Sequence, residues 1–331
     1  MRADAVVFTG PNAVNFSQVD CPDPGPDDVV VRLTHSWISN GTEGSVLRGE
    51  RIAGDTPYRP GDPWPFPRVP GYQKVGSVEW TGTNVRDLAI GDVVFGTVSP
   101  VEGMARRMSG HVSPAVLART EVWKLPPGRD PVAFSGAVLT QVGFNCGSRP
   151  TFEHGAGALV LGDGLVGQWT AQTLALRGAD VVLAGRHADR LAHFVDRGEA
   201  LDVSVTDLMQ AVDRRFPGGL AVVVDAVGRI GEFQQLATRL RRHGHLVSAG
   251  FYGVNDALSL QPLRDAETYL HFVSGWLPDR LKRTLDLIVS GELETLALVT
   301  HHFPAKQAAA AWQLIRSRSE PFLGVILDWE S

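Results

Sequence analysis

Two cysteines in 331 residues leave no room for a disulfide framework, and a structural zinc lobe built on four thiolates is excluded outright. Cys21 and Cys146 read as buried or idle thiols. Charge of one sign is also missing: 31 basic and 36 acidic residues are mixed along the chain, for a formal net charge of -5. Such a surface offers no basic stripe to a nucleic acid and no polybasic anchor to anionic lipid. The opening MRADAVVFTG lacks the long apolar core of a secretory signal, and no later apolar run approaches the roughly 20 residues that span a bilayer. The sequence therefore predicts a cytoplasmic protein with a small-molecule substrate and neither nucleic-acid nor membrane partners. Internal repeats and low-complexity tracts are absent too. Apolar material is plentiful, at 44% of the chain, enough for the cores of about two domains.

Texture divides the chain. Up to about residue 125, short β-segments (AVVFTG, DVVVRLTHSWI, KVGSVEWTG, GDVVFGTVS) alternate with turns. Between them GDTPYRPGDPWPFPRVPG, residues 54–71, is too rich in proline and glycine for a helix or a central strand and is expected to cross that unit as a loop. From about residue 130 apolar strands (GALVLG, DVVLAG, AVVVDAVG, HLVSAGF, YLHFVSG) alternate with amphipathic helices, the pattern of βαβ units and a parallel sheet. After Trp276 the texture mixes again, with helices over PDRLKRTLDLIVSG and PAKQAAAAWQLIRSR and a closing strand FLGVILDW.

The segment GALVLGDGLVGQWTAQTLALRG sets Gly162, Gly164 and Gly167 between a strand and a helix, the context in which a GxGxxG signature means dinucleotide binding. The first glycine permits a tight turn, the second lets the backbone approach a pyrophosphate, and the third lets helix pack on strand. The N–H groups of the helix start, at Leu165 and Val166, then face the phosphates. At the end of the next strand, where a carboxylate would bond the ribose 2′-hydroxyl, the chain reads LAGRHADR. Gly185 takes the acidic position, and Arg186 and Arg190, with His187 between them, suit a 2′-phosphate; NADP(H) is expected over NAD(H). The alternative is that these are solvated residues at a helix start.

Taken together, GTEG after an early strand, VPGYQKVGSV, IGDVVFG, the glycine-rich segment and the ending VTHHFPAKQAAAAWQLIRSRSEPFLGVILDW resemble the medium-chain dehydrogenase/reductase superfamily over nearly the whole chain. The resemblance implies an α/β protein: a GroES-like β-rich catalytic domain from both chain ends (1–127 and 277–331) and a Rossmann, doubly wound NADP(H)-binding domain between them (128–276), with the active site in the cleft. It extends the cofactor contacts to Thr140, to Ala226 and Val227, and to Gly250 and Phe251. SWISNGTE and FVSGW most resemble a branch that contains bacteriochlorophyllide hydroxyethyl dehydrogenases.

Zinc-dependent members carry Cys-Gly-Thr-Asp and Gly-His-Glu. Here the matching positions read Asn40-Gly41-Thr42-Glu43 and Gly71-Tyr72-Gln73, and the third ligand position holds Val138 or a neighbour. A zinc site needs three nitrogen, sulfur or carboxylate ligands from the protein. None stands at the matched positions, so a zinc-independent enzyme is expected. The competing metal reading would have to gather His35, Glu43 and His111. Without a Lewis acid, developing negative charge must be met by hydrogen-bond donors. Tyr72 is the leading candidate for the proton donor, Asn40 for a substrate contact and Thr42 for a relay; each also has a plain alternative, Tyr72 as pocket lining and Asn40 as turn chemistry. Glu43 suits a helix start, Gln141 either the cofactor face or the core, and Lys74 solvent. Trp37, Tyr58, Trp64, Phe66 and Trp276 suit an apolar wall for a cyclic substrate, or packing.

Three functions compete: ketone and secondary-alcohol interconversion, reduction of an activated C=C or C=N bond, and NADPH binding without turnover. A homodimer is implied by the resemblance, with YLHFVSGW as the edge strand that would pair.

Overall fold

A computed structural model describes residues 1–53, 56–57, 65–253 and 255–330. Tyr58 and Trp64 of the proline-rich segment lie outside the described residues. The chain forms two compact units, Met1–Val138 with Thr295–Ser331 and Leu139–Glu294.

The first unit is built on a seven-stranded sheet. Asp28–Trp37 (β3) lies at its centre because its apolar side chains are buried almost throughout. Arg2–Gly10 (β1) and Ala13–Asp20 (β2) form an antiparallel ribbon beside it, and Asn40–Leu47 (α1) follows β3 directly. Lys74–Thr81 (β4) pairs antiparallel with β3 and with Val93–Gly96 (β5). Ala115–Ala118 (β6) pairs with β3, and Val122–Lys124 (β7) with β5. The chain returns here at its other end. Val299–Pro304 (β14) pairs parallel with Gly324–Asp328 (β15), which pairs antiparallel with β3, Ile326 opposite Trp37. The core runs through Val29, Val31, Leu33, Val78, Val94 and Leu117, each fully buried side chain contributing about 1.5–3 kcal/mol.

Trp37 is fully buried. A Cβ at Gly136 would stand 2.7 Å from its ring and one at Gly324 2.5 Å, so this indole is a wedge of the core and not a wall for substrate. Phe66 is likewise buried, packed with Phe8, Ile38 and Leu47.

In the second unit the strands Gly157–Leu161 (β8), Asp180–Gly185 (β9), Glu199–Asp202 (β10), Leu220–Asp225 (β11), Leu240–Ser248 (β12) and Tyr269–Phe272 (β13) make one sheet. All are parallel, in the order β10-β9-β8-β11-β12-β13. Counted along the chain this is 3-2-1-4-5-6, the doubly wound arrangement, as expected from the apolar runs that form β8 and β11, strands buried on both faces. The short, exposed β10 was not legible in the sequence. Ala137–Ser148 (α2) precedes the sheet, Leu165–Leu176 (α3) follows β8 and Ile230–Ala237 (α4) follows β11. The amphipathic helix Pro278–Ser290 (α5), read from texture as part of the last segment, is held in this unit: Trp169 and Gln172 of α3 donate to the carbonyl of Glu294 just beyond it, at 2.9 and 3.4 Å. Among the described residues no helix is long and apolar enough to cross a membrane.

Candidate active site

The matched metal positions are in the first unit. Tyr72, half-buried, donates its hydroxyl to Ser39 Oγ at 2.6 Å. Ser39 is 2% exposed and is the residue before α1; its backbone N–H donates to Glu43 Oε1 at 2.8 Å. Glu43 thus caps its own helix, as expected of a carboxylate in a first turn, and its second oxygen meets His111 Nε2 at 2.9 Å. His111 Nδ1 lies 2.8 Å from Ser36 Oγ, which also accepts from Trp329 Nε1 at 2.8 Å. His111 is fully buried and Glu43 nearly so. Gly71 makes room for that ring: its φ is +88°, and a Cβ there would stand 2.7 Å from the imidazole.

Asn40 opens α1 and donates Nδ2 to the carbonyl of Leu323 at 2.7 Å. Its Oδ1 is buried with no partner among the described residues, so the unsatisfied atom of this amide is an acceptor, where the sequence suggested a donor. Thr42 lies half-buried in the first turn of the same helix. His35 sits elsewhere, with Nδ1 3.0 Å from Thr34 Oγ1 and Nε2 3.7 Å from Asp328. The grouping of His35 with Glu43 and His111 does not occur. Among the described residues no three His, Cys, Asp or Glu side chains gather as a metal site.

Lys74 departs from its sequence reading. It is fully buried rather than solvated, donating to Ser99 Oγ at 2.7 Å and to the Ser109 carbonyl at 3.3 Å. Burial pulls its ammonium down to about 7. The thiols are inert for the same reason: burial raises Cys21 and pushes Cys146 to about 12.

In the second unit, the residues picked for a cofactor lie at the carboxyl ends of the parallel strands, where open α/β sheets bind ligands, except Thr140, which lies within α2. Gly162 follows β8 at φ +120°, and a Cβ there would strike Val227 at 2.7 Å. At Gly167 the Cβ would lie 1.8 Å from the Gly162 carbonyl, while at Gly164, the residue before α3, it would stand in open space. The turn is thus closed where helix meets strand and open where Leu165 and Val166 start α3, whose first N–H groups have no partner within the helix. Ala226 N–H donates to the Leu161 carbonyl at 2.9 Å, joining the loops after β8 and β11. The loop after β11 is fixed by Asp225, fully buried, which accepts from the N–H groups of Val227, Gly228 and Arg229 and from the Tyr252 hydroxyl at 2.8 to 2.9 Å. Burial, with Asp225 beside it, pushes the Tyr252 phenol above its ordinary range. Gly250 and Gly228 touch so closely that a Cβ at Gly250 would lie 2.0 Å from Gly228 N. Val227 and Phe251 remain 44% and 38% exposed, apolar surface left open at the strand ends. Thr140 and Gln141 are fully buried; Gln141 bonds the Gly275 carbonyl and the Leu277 N–H, both at 3.2 Å, which holds a loop.

The basic residues after β9 do not all point outward. His187 and Arg190 face Asp163, at 2.9 and 3.7 Å, whereas Arg186 is 54% exposed and 3.7 Å from Glu232. Ser39, Asp163 and Asp225 were not singled out from the sequence, and His111 entered only through the metal grouping with His35 and Glu43, not as the partner of Glu43 alone. Glu43 stands four residues after Ser39, one more than the capping-box template allows, and His111 is distant in the chain, so neither carried a local signal.

Comparison with known proteins matches residues 166–290 to the family described as zinc-binding dehydrogenase. That stretch contains none of positions 40, 72 and 138. The 2-desacetyl-2-hydroxyethyl bacteriochlorophyllide A dehydrogenase of Rhodobacter capsulatus is 31% identical over 100% of this chain and 99% of its own. A Sinorhizobium meliloti protein described as a zinc-binding dehydrogenase, bound to NADP, has 22% identity, a TM-score of 0.83 and coverage of 99% of this chain and 100% of its own. An Escherichia coli short chain alcohol dehydrogenase complexed with NADH has 19% identity and a TM-score of 0.85, covering 99% of both chains. These two share the fold, one with each phosphorylation state of the cofactor.

Proposed function

The chain belongs to the medium-chain dehydrogenase/reductase family of oxidoreductases, and from that premise we propose that it interconverts a ketone and a secondary alcohol with NADP(H), without zinc, Tyr72 acting as the proton donor. The observation that carries this reading is the Tyr72 hydroxyl bonded to buried Ser39 at a position where zinc-dependent members place a ligand. A catalytic zinc does not fit the donors present. Positions 40, 72 and 138 carry an amide, a phenol and an isopropyl group, and the nearby imidazole has both ring nitrogens engaged, by Glu43 and Ser36.

A nicotinamide cofactor does fit the second unit. Gly162, Gly164, Gly167 and the start of α3 would hold its pyrophosphate, Val227 and Phe251 would cover its apolar faces, and Arg186 would meet a 2′-phosphate. Such a cofactor supplies or accepts the hydride. The chain's own task is at the substrate oxygen: Tyr72 delivers a proton there in reduction and receives it in oxidation, with Asn40 as a substrate contact and Thr42, two residues further along α1, for relay. The name of the Rhodobacter relative sets a hydroxyethyl against an acetyl group, the two ends of a secondary-alcohol and ketone couple. A homodimer joined through the edge strand β13 completes the proposal.

The test is a panel of ketones, enones and cyclic imines followed by NADPH absorbance, with metal content measured on the same preparation. Turnover of ketones that falls in Tyr72→Phe supports the reading. Turnover of enones or imines alone, unchanged by Tyr72→Phe, would replace it with C=C or C=N reduction. Cofactor binding with no turnover of any class would point to a sensor, and stoichiometric zinc would overturn the metal-free site.

A further inference from the structure

The glycine-rich turn carries a carboxylate of its own. Asp163 stands between Gly162 and Gly164 and is 5% exposed. Its Oδ2 accepts from the backbone N–H of Arg186 at 2.8 Å and of His187 at 2.9 Å. The His187 ring reaches both oxygens through Nδ1, at 2.9 and 3.1 Å, and Arg190 Nη1 lies 3.7 Å from Oδ1. A Cβ at Gly185 would stand 2.3 Å from Oδ2. Gly185 and the Asp163 carboxylate therefore use one space: the second strand ends in glycine because a carboxylate from the first turn already occupies that position.

An anion at this place has a consequence for any phosphate brought to the same strand end. Two backbone N–H groups, an imidazole and a guanidinium are the donor set that suits a 2′-phosphate, and here they converge on a resident carboxylate. Of the three basic side chains after β9, the Arg186 guanidinium alone faces away from it, toward Glu232. A second anion close to Asp163 meets like-charge repulsion in a partly desolvated site.

We propose that Asp163 is a specificity-determining residue for the cofactor: by holding His187, Arg190 and two backbone N–H groups, it limits the preference for NADP(H) over NAD(H) that Arg186 creates. The proposal rests on the nicotinamide reading above. It assigns opposite signs to two neighbouring residues, Arg186 favouring the 2′-phosphate and Asp163 opposing it.

The experiment measures dissociation constants of NAD⁺ and NADP⁺ for the purified full chain by tryptophan fluorescence or calorimetry, in the parent protein and in Asp163→Asn. The amide oxygen of asparagine still accepts the backbone N–H bonds, so the turn keeps its geometry while the charge goes. The ratio of the NAD⁺ constant to the NADP⁺ constant is expected to rise about tenfold, the effect of ~1.4 kcal/mol. Should Asp163→Asn not fold, Asp163→Ser is read on the same ratio. A ratio unchanged within about twofold, or lowered, with both dinucleotides bound, overturns the role of Asp163 and leaves the nicotinamide reading standing. A parent protein that binds neither dinucleotide overturns both.

Discussion

Each unit contains a carboxylate and histidine pair at 2.9 Å whose carboxylate also accepts backbone N–H: Glu43 with His111, and Asp163 with His187. They differ in enclosure. The His111 side chain is 0% exposed and Glu43 3%, whereas the His187 side chain is 40% exposed and Asp163 7%. In the first pair every nitrogen and both oxygens are engaged inside the protein, which makes it a strut fixing Ser39 and, through Ser39, the Tyr72 hydroxyl. In the second the histidine stands at the surface, where an arriving ligand can compete. Similar bonds thus serve rigidity in one place and selectivity in the other, and burial decides which.

Breaking the enclosed pair should have the largest effect. Glu43→Ala leaves a buried imidazole without its partner and is expected to lower unfolding free energy by about 3–5 kcal/mol, read from denaturant titration; Asp163→Ala, at the more open pair, should lose less, and equal losses would erase the contrast. Next in size, Tyr72→Phe should lower turnover about 100-fold or more with the denaturation midpoint little changed, since the phenyl ring stays while the bond to Ser39 goes. A midpoint that falls together with turnover would make Tyr72 packing rather than chemistry.

The enclosed interior also predicts a pH effect. Lys74 has its ammonium pulled to about 7 in the fold, against about 10.4 in an unfolded chain. Between these values the unfolded state holds more protons, so stability rises with pH from about 7 to about 10, with a slope of at most ~1.4 kcal/mol per pH unit, and the full burden is present below 7. Lys74→Met should remove that rise in unfolding curves taken at pH 7, 8 and 9; a slope that persists would assign it to another group. The smallest effect belongs to the open region. Arg186→Ala should weaken NADP⁺ about tenfold and NAD⁺ within about twofold by direct binding, and equal losses would remove Arg186 from the 2′-phosphate.

Sequence reasoning reached what is written in local pattern. Apolar runs marked β8, β9, β11, β12 and β13, three glycines marked the turn after β8, and the residues at the matched positions, Asn40, Tyr72 and Val138, carry the proposal of a zinc-independent site. It did not reach what depends on convergence. Nothing local links His111 to Glu43, and Asp163 reads as filler between two glycines until Gly185 of the next strand is seen to leave room for it. Lys74 lies in a strand of alternating character, and lysine is the residue type least expected to be buried; the serines that receive it, Ser99 and Ser109, come from a pair of two-residue strands further along the chain.

The placement of β15 bears on the order in which the molecule is made. Gly324–Asp328 lies between β3 and β14, so the interior of the first unit's sheet stays incomplete until Asp328 has left the ribosome. All six strands of the second sheet are synthesised by Phe272. During translation the strands of the inserted unit are all present first, while the early strands, including the edge of β3 that β15 later covers, stay unpaired there until Asp328 emerges.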